Sequence, residues 1–514
     1  VSRTEQGKNE QAWLDALQGL TPEELAALKA IGLEGGTAGI TVELCHQRIN
    51  QITGKRRQDG ARLVQGLLDR GLVEKDRVNY REVYRLPASL APSLTRIFLR
   101  LMAERILLPD ETAHGAHEEG RRLVWDLVRF LGYLTREDVR LTQGGQIFKR
   151  QARAILELFV TQAGQELPES AGEGLADPLG FALSFCLEEG LVEREDGYLR
   201  VTDRVSPWLD QPEGEVRLRL LESWKRRFLA WHRDLETALG VLLEAPEGTW
   251  VDLNALAREL EPLMAPGFRG PLYPRLNRFL LSFLFWSGFL EEADGPSGPV
   301  GRLTPDGREA CSGRIPAPGP VESSFLLQPN FELLVPPYLE RSALWTLGLA
   351  ADLVRLDQVA VYRLDRSSVY RALSAGLSET ALVEFFRRRS RTGIPANAVQ
   401  ALRDWSAAFG RLRFEQVCLL RCDTPDLATF VLASPRTSRL IQGRYSETDL
   451  MVHPDDIPEL LEALRQDGHM PRPGLARLPK ESLTHGEAHR RKEEAGPTDQ
   501  AEPGSQEVSP DTSE

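Results

Sequence analysis

Cysteine is scarce in this chain: five in 514 residues, in no regular pairs. That excludes a disulfide-stapled scaffold and points to a reducing compartment. Long apolar runs are missing too. The most hydrophobic stretch, residues 279–290, is flanked by Arg278 and Glu291 and is too short to cross a bilayer. The opening Val1-Ser2-Arg3-Thr4-Glu5-Gln6 has no apolar core of the kind a signal peptide needs, so a cytoplasmic location with no membrane partner is expected. Positive charge is in deficit, with 63 Lys and Arg against 75 Asp and Glu for a net −12. Neutralising phosphates takes clustered Lys and Arg, so the chain as a whole is no indiscriminate coat for nucleic acid.

What is present is ordinary globular material. The hydrophobic share is 41%, and the length corresponds to about three or four domains at roughly 100–200 residues each. A weak internal repeat organises the first part. Four times an apolar, helix-like stretch ends at a glycine and is followed by two apolar residues and a polar turn. The four are Gly71-Leu72-Val73-Glu74, Gly132-Tyr133-Leu134-Thr135, Gly190-Leu191-Val192-Glu193 and Gly288-Phe289-Leu290-Glu291. A glycine suits the left-handed residue that closes a helix. Positions seven and four before each glycine are apolar: Val64/Leu67, Trp125/Val128, Leu183/Cys186 and Leu281/Leu284. That spacing turns one helix face to a core.

A second strand-like run follows each polar turn, and two of these continue as Thr-x-x-Gly, Thr142 to Gly145 and Thr304 to Gly307. Helix, glycine stop and two short strands form the last part of a winged helix. Upstream, Thr21-Pro22-Glu23-Glu24 reads as an N-cap, a first-turn proline and a capping-box glutamate. The expected fold is therefore α+β and multidomain, with tandem winged-helix-like domains at 10–90, 91–160, 161–212 and 213–313. Glycine spacings of 61, 58 and 98 residues are too long and uneven for a solenoid.

Beyond the stiff Pro316-Ala317-Pro318-Gly319-Pro320 the pattern becomes α/β over 321–473. Strands are expected at 325–335, 358–363, 411–420 and 447–452, and helices at 342–353, 367–377, 378–389, 396–408 and 456–468. Residues 474–514 read as a disordered acidic tail, with five basic against nine acidic residues from 475 onward.

The α/β part resembles a domain of bacterial helicase-associated proteins related to the N-terminal domain of XPB-type DNA helicases. The resemblance is carried by Leu327-Gln328-Pro329-Asn330-Phe331-Glu332-Leu333-Leu334-Val335-Pro336, Tyr362-Arg363-Leu364-Asp365-Arg366-Ser367-Ser368-Val369-Tyr370-Arg371-Ala372-Leu373, Ile394-Pro395-Ala396-Asn397-Ala398-Val399 with Trp405, and Gly410-Arg411-Leu412-Arg413. It implies an accessory region rather than a motor. A phosphate-cradling G-x-x-x-x-G-K-[ST] is also missing: Gly7-Lys8 is followed by Asn9 and Gly54-Lys55 by Arg56. The chain is thus expected not to be an enzyme and to need no cofactor.

Candidate DNA contacts are local basic clusters. Lys55, Arg56 and Arg57 precede the third helix of the first repeat, which carries Arg62; Arg275 and Arg278 are similarly placed in the last repeat. In a winged helix this helix can enter the major groove. The bland reading is a solvated face or a protein contact. Arg387, Arg388 and Arg389, with Arg391, form the densest run, at a helix end where cations also complement the dipole. Trp224, Phe228 and Trp231 around Lys225-Arg226-Arg227 have the spacing of a core face. Cys418 and Cys422 lack a second pair for zinc, and His485-Gly486-Glu487-Ala488-His489 has its glutamate at the wrong position for a zinc protease. No metal site is expected. The residues point to a non-catalytic DNA-transaction accessory protein that contacts DNA and docks a separate helicase, nuclease or transcription protein. The alternative is a protein-interaction scaffold without direct DNA contact.

Overall fold

The computed structural model describes residues 17, 19–35, 39–53, 57–117, 122–162, 177–229, 232–263, 271–357, 359–412, 416, 418–472 and 474–475. The fold is mixed α+β, with many helices and several small antiparallel sheets. The expected disorder of the tail falls, from residue 476 on, outside the described residues. The chain divides into two compact units at Phe409/Gly410.

Within the first unit one module recurs three times: helix, short strand, two helices, hairpin. The first module runs through helix Pro22–Gly35, strand Ile40–Thr41, helices Val42–Thr53 and Arg57–Asp69, and hairpin Glu74–Val78/Arg81–Arg85. Its opening is the capping box expected at Thr21, whose Oγ1 accepts from Glu24 N at 3.2 Å while Thr21 N donates to Glu24 Oε2 at 2.9 Å. The second has helix Arg122–Arg136, strand Val139–Arg140, helices Lys149–Leu156 and Pro178–Glu188, and hairpin Val192–Glu195/Tyr198–Val201. The third has helix Arg233–Glu244, strand Trp250–Asp252, helix Leu253–Leu260, a run from Leu272–Leu276 through a π-turn at Asn277–Leu281 to Ser282–Trp286, and hairpin Leu290–Gly295/Gly298–Leu303. In each sheet the last strand lies between the first and the second.

Glycine explains why each helix can hand over to a hairpin so abruptly. Gly71, Gly190 and Gly288 sit at φ +69°, +68° and +68°. The next residue then bonds back across the helix end, Leu72 N to Leu67 O at 3.0 Å, Leu191 N to Cys186 O at 2.9 Å and Phe289 N to Leu284 O at 2.7 Å. Thr202 and Thr304 donate their hydroxyls to the carbonyls of Gly190 and Gly288 at 2.6 and 2.9 Å, which ties the hairpin's far strand to the same turn. Gly132 is different. It lies inside helix Arg122–Arg136 and its neighbours are helical. The repeat is threefold rather than fourfold; the second of the four matches arose because a helix buried along most of its length has apolar residues at 125, 128, 131 and 134 whether or not it ends at the glycine.

Domain boundaries shift accordingly. Val139–Arg140 pairs with Tyr198–Val201, so the expected break at 160/161 falls inside one sheet. Of the expected 91–160 domain, Leu107–Leu108 and His114–His117 instead extend both edges of the third module's sheet. Leu99, on helix Ala91–Glu104, packs where a Cβ on Gly240 would come within 2.8 Å of it.

Helix Arg122–Arg136 anchors the second module to the segment that follows the proline-rich stretch. Trp125 is 1% exposed; its Nε1 donates to Leu339 O at 2.6 Å and its ring meets Tyr338 edge-on at 5.2 Å. Asp126 is fully buried. It accepts from Val160 N, Thr161 N and Thr161 Oγ1 at 2.8, 3.0 and 2.8 Å and from Arg129 at 3.2 Å, which satisfies a carboxylate that burial would otherwise penalise. The following segment has a four-stranded sheet in the order Leu326–Leu327, Glu332–Val335, Ala360–Arg363, Asp352–Arg355, with helices Arg341–Ala350, Arg366–Ser374, Glu379–Arg389 and Ala396–Ala407. The helix expected to reach 353 stops at Ala350, and Asp352–Arg355 is a strand.

The second compact unit has strands Cys418–Arg421, Asp449–Val452 and Ile441–Arg444 in that order, with helices Pro425–Ala433 and Ile457–Gln466. Its own core holds Ala428, Val431, Leu450, Val452 and Leu460.

Helix Glu213–Phe228 bridges the second and third modules. Trp224 stacks on Phe283 at 4.9 Å and Phe228 is buried, as their spacing implied; Trp231 lies outside the described residues. Burial works to raise the pKa of Glu188, but hydrogen bonds from Ser223, Arg227 and Arg226 hold it down at about 2. Two of these, from Ser223 and Arg227, measure 2.6 and 2.7 Å.

Two stability outcomes follow. No atom lies within 4 Å of a Cβ added at Gly71 or at Gly132, so only the backbone decides. Gly71→Ala is expected to cost about 1–2 kcal/mol for a left-handed alanine, and Gly132→Ala to gain up to about 1 kcal/mol as a helical one; denaturant melts of the two variants measure both. A depressed carboxyl contributes stability above its unfolded pKa and loses it as pH falls through the folded one. Glu188→Gln should therefore melt below wild type at neutral pH, with the gap closing between the ordinary 4.5 and about 2 in melts taken against pH.

Candidate nucleic-acid interface

An arginine can serve a phosphate to the extent that its charge is not already answered by a carboxylate, and the expected basic clusters differ sharply on this point. Arg387 and Arg388 share Glu384 at 3.0 and 2.6 Å. Arg389 pairs with Glu340 at 2.5 Å and donates to Ser323 O at 3.1 Å. Arg391 pairs with Glu322 at 2.8 Å. Backbone bonds Phe325 N to Arg389 O and Arg391 N to Phe325 O, both 2.9 Å, run alongside. The densest run thus fastens residues 322–325 to the end of helix Glu379–Arg389. The exposed pairs on Glu384 are individually weak, but the carboxylate beside them repels a phosphate.

In the third module Arg275 Nε is 2.6 Å from Asp234 Oδ2, its Nη2 is 2.8 Å from His232 Nδ1, and its guanidinium lies 5.5 Å from the Phe279 ring. Burial, and then Arg275 itself, lower the His232 pKa. Arg278 is exposed, 5.5 Å from the same ring, and carries no ion pair among the described residues. The two arginines are therefore not equivalent: one is structural and the other available.

The first module is arranged otherwise. Lys55 and Arg56 lie outside the described residues, and Arg57 is the first residue of helix Arg57–Asp69. Gly60, Val64 and Leu67 turn inward, where a Cβ on Gly60 would sit 3.1 Å from Asn50 Oδ1, so helices Val42–Thr53 and Arg57–Asp69 pack closely. Arg62 faces solvent and carries no ion pair among the described residues.

Beside this helix the hairpin adds a feature that the clusters did not reveal. Its strands pair from Glu74↔Arg85 to Val78↔Arg81, leaving a two-residue turn, Asn79 at φ +48° and Tyr80 at φ +65°. At its base, charges are matched: Arg85 with Glu74 and Asp76 at 2.8 and 3.0 Å, and Lys75 with Glu82 at 2.8 Å. Toward its tip the match is looser: Arg77 lies across from Glu82, whose ion pair is with Lys75, Arg77 and Arg81 are exposed and without an ion pair among the described residues, and Tyr80 is 93% exposed. The signal in the sequence was an aromatic between two arginines where a hairpin turn prefers Asn-Gly. The second module's hairpin leans the other way, with Glu193, Glu195 and Asp196 exposed at its end beside a single exposed arginine, Arg194.

Other chemistry is not assembled. Among the described residues no group of His, Cys, Asp and Glu could hold a metal ion. Burial pushes the Cys45 and Cys311 thiols up to about 12 and 11, so both remain protonated at neutral pH. No helix among the described residues is long and apolar enough to cross a membrane.

Residues 325–446, about a quarter of the chain, match the family model described as the helicase conserved C-terminal domain. The match begins in the four-stranded sheet of the first compact unit and ends in the second. It corrects the expectation that the chain is not an enzyme: the matched segment is helicase C-terminal-like and points to helicase-type enzymatic activity.

Proposed function

We propose that the protein works in a helicase-type DNA transaction, gripping DNA through its first module and engaging a helicase, nuclease or transcription partner. The three modules are read as winged helices: helix Arg57–Asp69 is the recognition helix of the first, and hairpin 74–85 is its wing. The segment from Phe325 is read, more finely than its helicase C-terminal-like character, as kin to the N-terminal domain of XPB-type helicases. One observation carries the DNA reading. Arg62, Arg77 and Arg81 are exposed and carry no ion pair among the described residues, on adjoining elements of one module; in the sequence that module also carries Lys55, Arg56 and Arg57. A helix placed in a groove and a hairpin on the backbone need this distribution of charge.

The second reading, a protein-interaction scaffold, is favoured by the acidic hairpin of the second module and the net −12. A nuclease-treated pull-down separates the two, since a scaffold keeps its partners.

For the DNA reading, binding of a duplex by the full chain is measured against salt. Affinity should fall steeply with salt, and Arg62→Ala should weaken it and reduce the slope by about 1. Arg388→Ala, which removes a charge already held by Glu384, should leave both unchanged. Absent or salt-insensitive binding by the wild type removes the proposal.

A further inference from the structure

The turn of the first hairpin is costly as built. Both of its residues have positive φ. Asparagine tolerates this region, but a bulky side chain there is an outlier, and glycine is the residue such turns select. The chain provides its own comparison: the second module makes the same kind of turn from Asp196 and Gly197, at φ +50° and +82°. Where the second module has Gly197, the first has Tyr80. A lone exposed aromatic needs no explanation, but one held in a strained conformation at a position where glycine costs less does.

The surroundings indicate what the ring is for. The last deeply buried residue toward the tip is Val83, opposite Asp76. The pairs Arg77↔Glu82 and Val78↔Arg81 lie beyond it, so the turn projects about 7 Å past the core at the usual rise per residue. Arg77 and Arg81 flank it, exposed. None of the ring contacts found in the protein involves Tyr80 among the described residues. A projecting aromatic face between two cations is the combination that stacks on an unpaired base while holding the adjoining phosphates. A closed duplex offers it no free base face; a duplex end, fork or gap does.

We propose that Tyr80 stacks on an exposed base at a junction between duplex and single-stranded DNA, with Arg77 and Arg81 on the flanking phosphates, so that the first module distinguishes junctions from continuous duplex. This rests on the reading of the first module as a DNA contact. It also explains the turn: the strain in Tyr80 is retained because a glycine would present no ring.

The test uses the full chain and two DNAs of equal length, a relaxed, covalently closed duplex circle and the same circle with a short single-stranded gap carrying 2-aminopurine at its first unpaired position. Wild type should bind the gapped circle about tenfold more tightly than the closed one and quench the 2-aminopurine. Tyr80→Phe keeps both properties. Tyr80→Gly and Tyr80→Leu lose both while retaining closed-circle affinity, and Tyr80→Gly melts at or above the wild-type temperature. Persistence of the preference and the quench in Tyr80→Gly and Tyr80→Leu overturns the stacking role. So does a wild type that binds both DNAs equally, and in that case the DNA-contact reading stands. A wild type that binds neither DNA removes both.

Discussion

A helix that gives way to a hairpin within two residues must reverse its backbone, and an L-residue with a side chain resists the left-handed conformation that does this. Gly71, Gly190 and Gly288 meet that constraint with nearly the same φ. Everything distinctive about the modules follows from it. The residue after each glycine bonds back over the helix end, the two apolar residues there drop into the core, and the hairpin leaves in a fixed direction beside the last helix. Where a threonine follows the hairpin, its hydroxyl closes on the same glycine carbonyl. In the third module Gly307 is forced as well, since a Cβ there would lie 2.2 Å from Phe289 O.

With the backbone repeated three times, differences between modules lie in their charges. The third module spends Arg275 on Asp234 and uses its hairpin as the middle of a five-stranded sheet. The second carries acid on its hairpin and is fixed to the helicase C-terminal-like segment through Trp125 and Arg136. The first combines a hairpin free of added strands with an exposed tyrosine at its tip, between two exposed arginines that form no ion pair among the described residues. The acidic balance of the whole chain and a local DNA contact are therefore compatible: most arginines named as candidates are held by carboxylates within the fold, and a few are not.

Much of this was legible in the sequence. The glycine stops, the capping box at Thr21, the core phase at Val64/Leu67 and Leu281/Leu284, and the interrupted strand pair at 326–335 all follow from local chemistry and appear in the structure. What failed was nonlocal. Gly132 copies the local signature of a helix stop, yet its helix is buried on nearly every side, by its own module and by Leu339 and helix Arg341–Ala350 more than 200 residues away. The strands at 107–108 and 114–117 join a sheet completed some 190 residues later. Pairing of the Arg387–Arg391 run with Glu322 and Glu340 is equally invisible along the chain. Charge density located candidate cations; only the fold separated those already neutralised from those available. The helicase kinship was legible too, but the inference from a missing phosphate loop to an inactive chain was not supported by the family match.

Hydrogen–deuterium exchange of the full chain with and without forked DNA tests the central claim most directly, because it reports every module in one experiment. Protection should concentrate on helix Arg57–Asp69 and hairpin 74–85, with the hairpins at 192–201 and 290–303 and the helix end at 387–391 unchanged. Protection at 387–391 or at the third module, with none at 57–85, would contradict it.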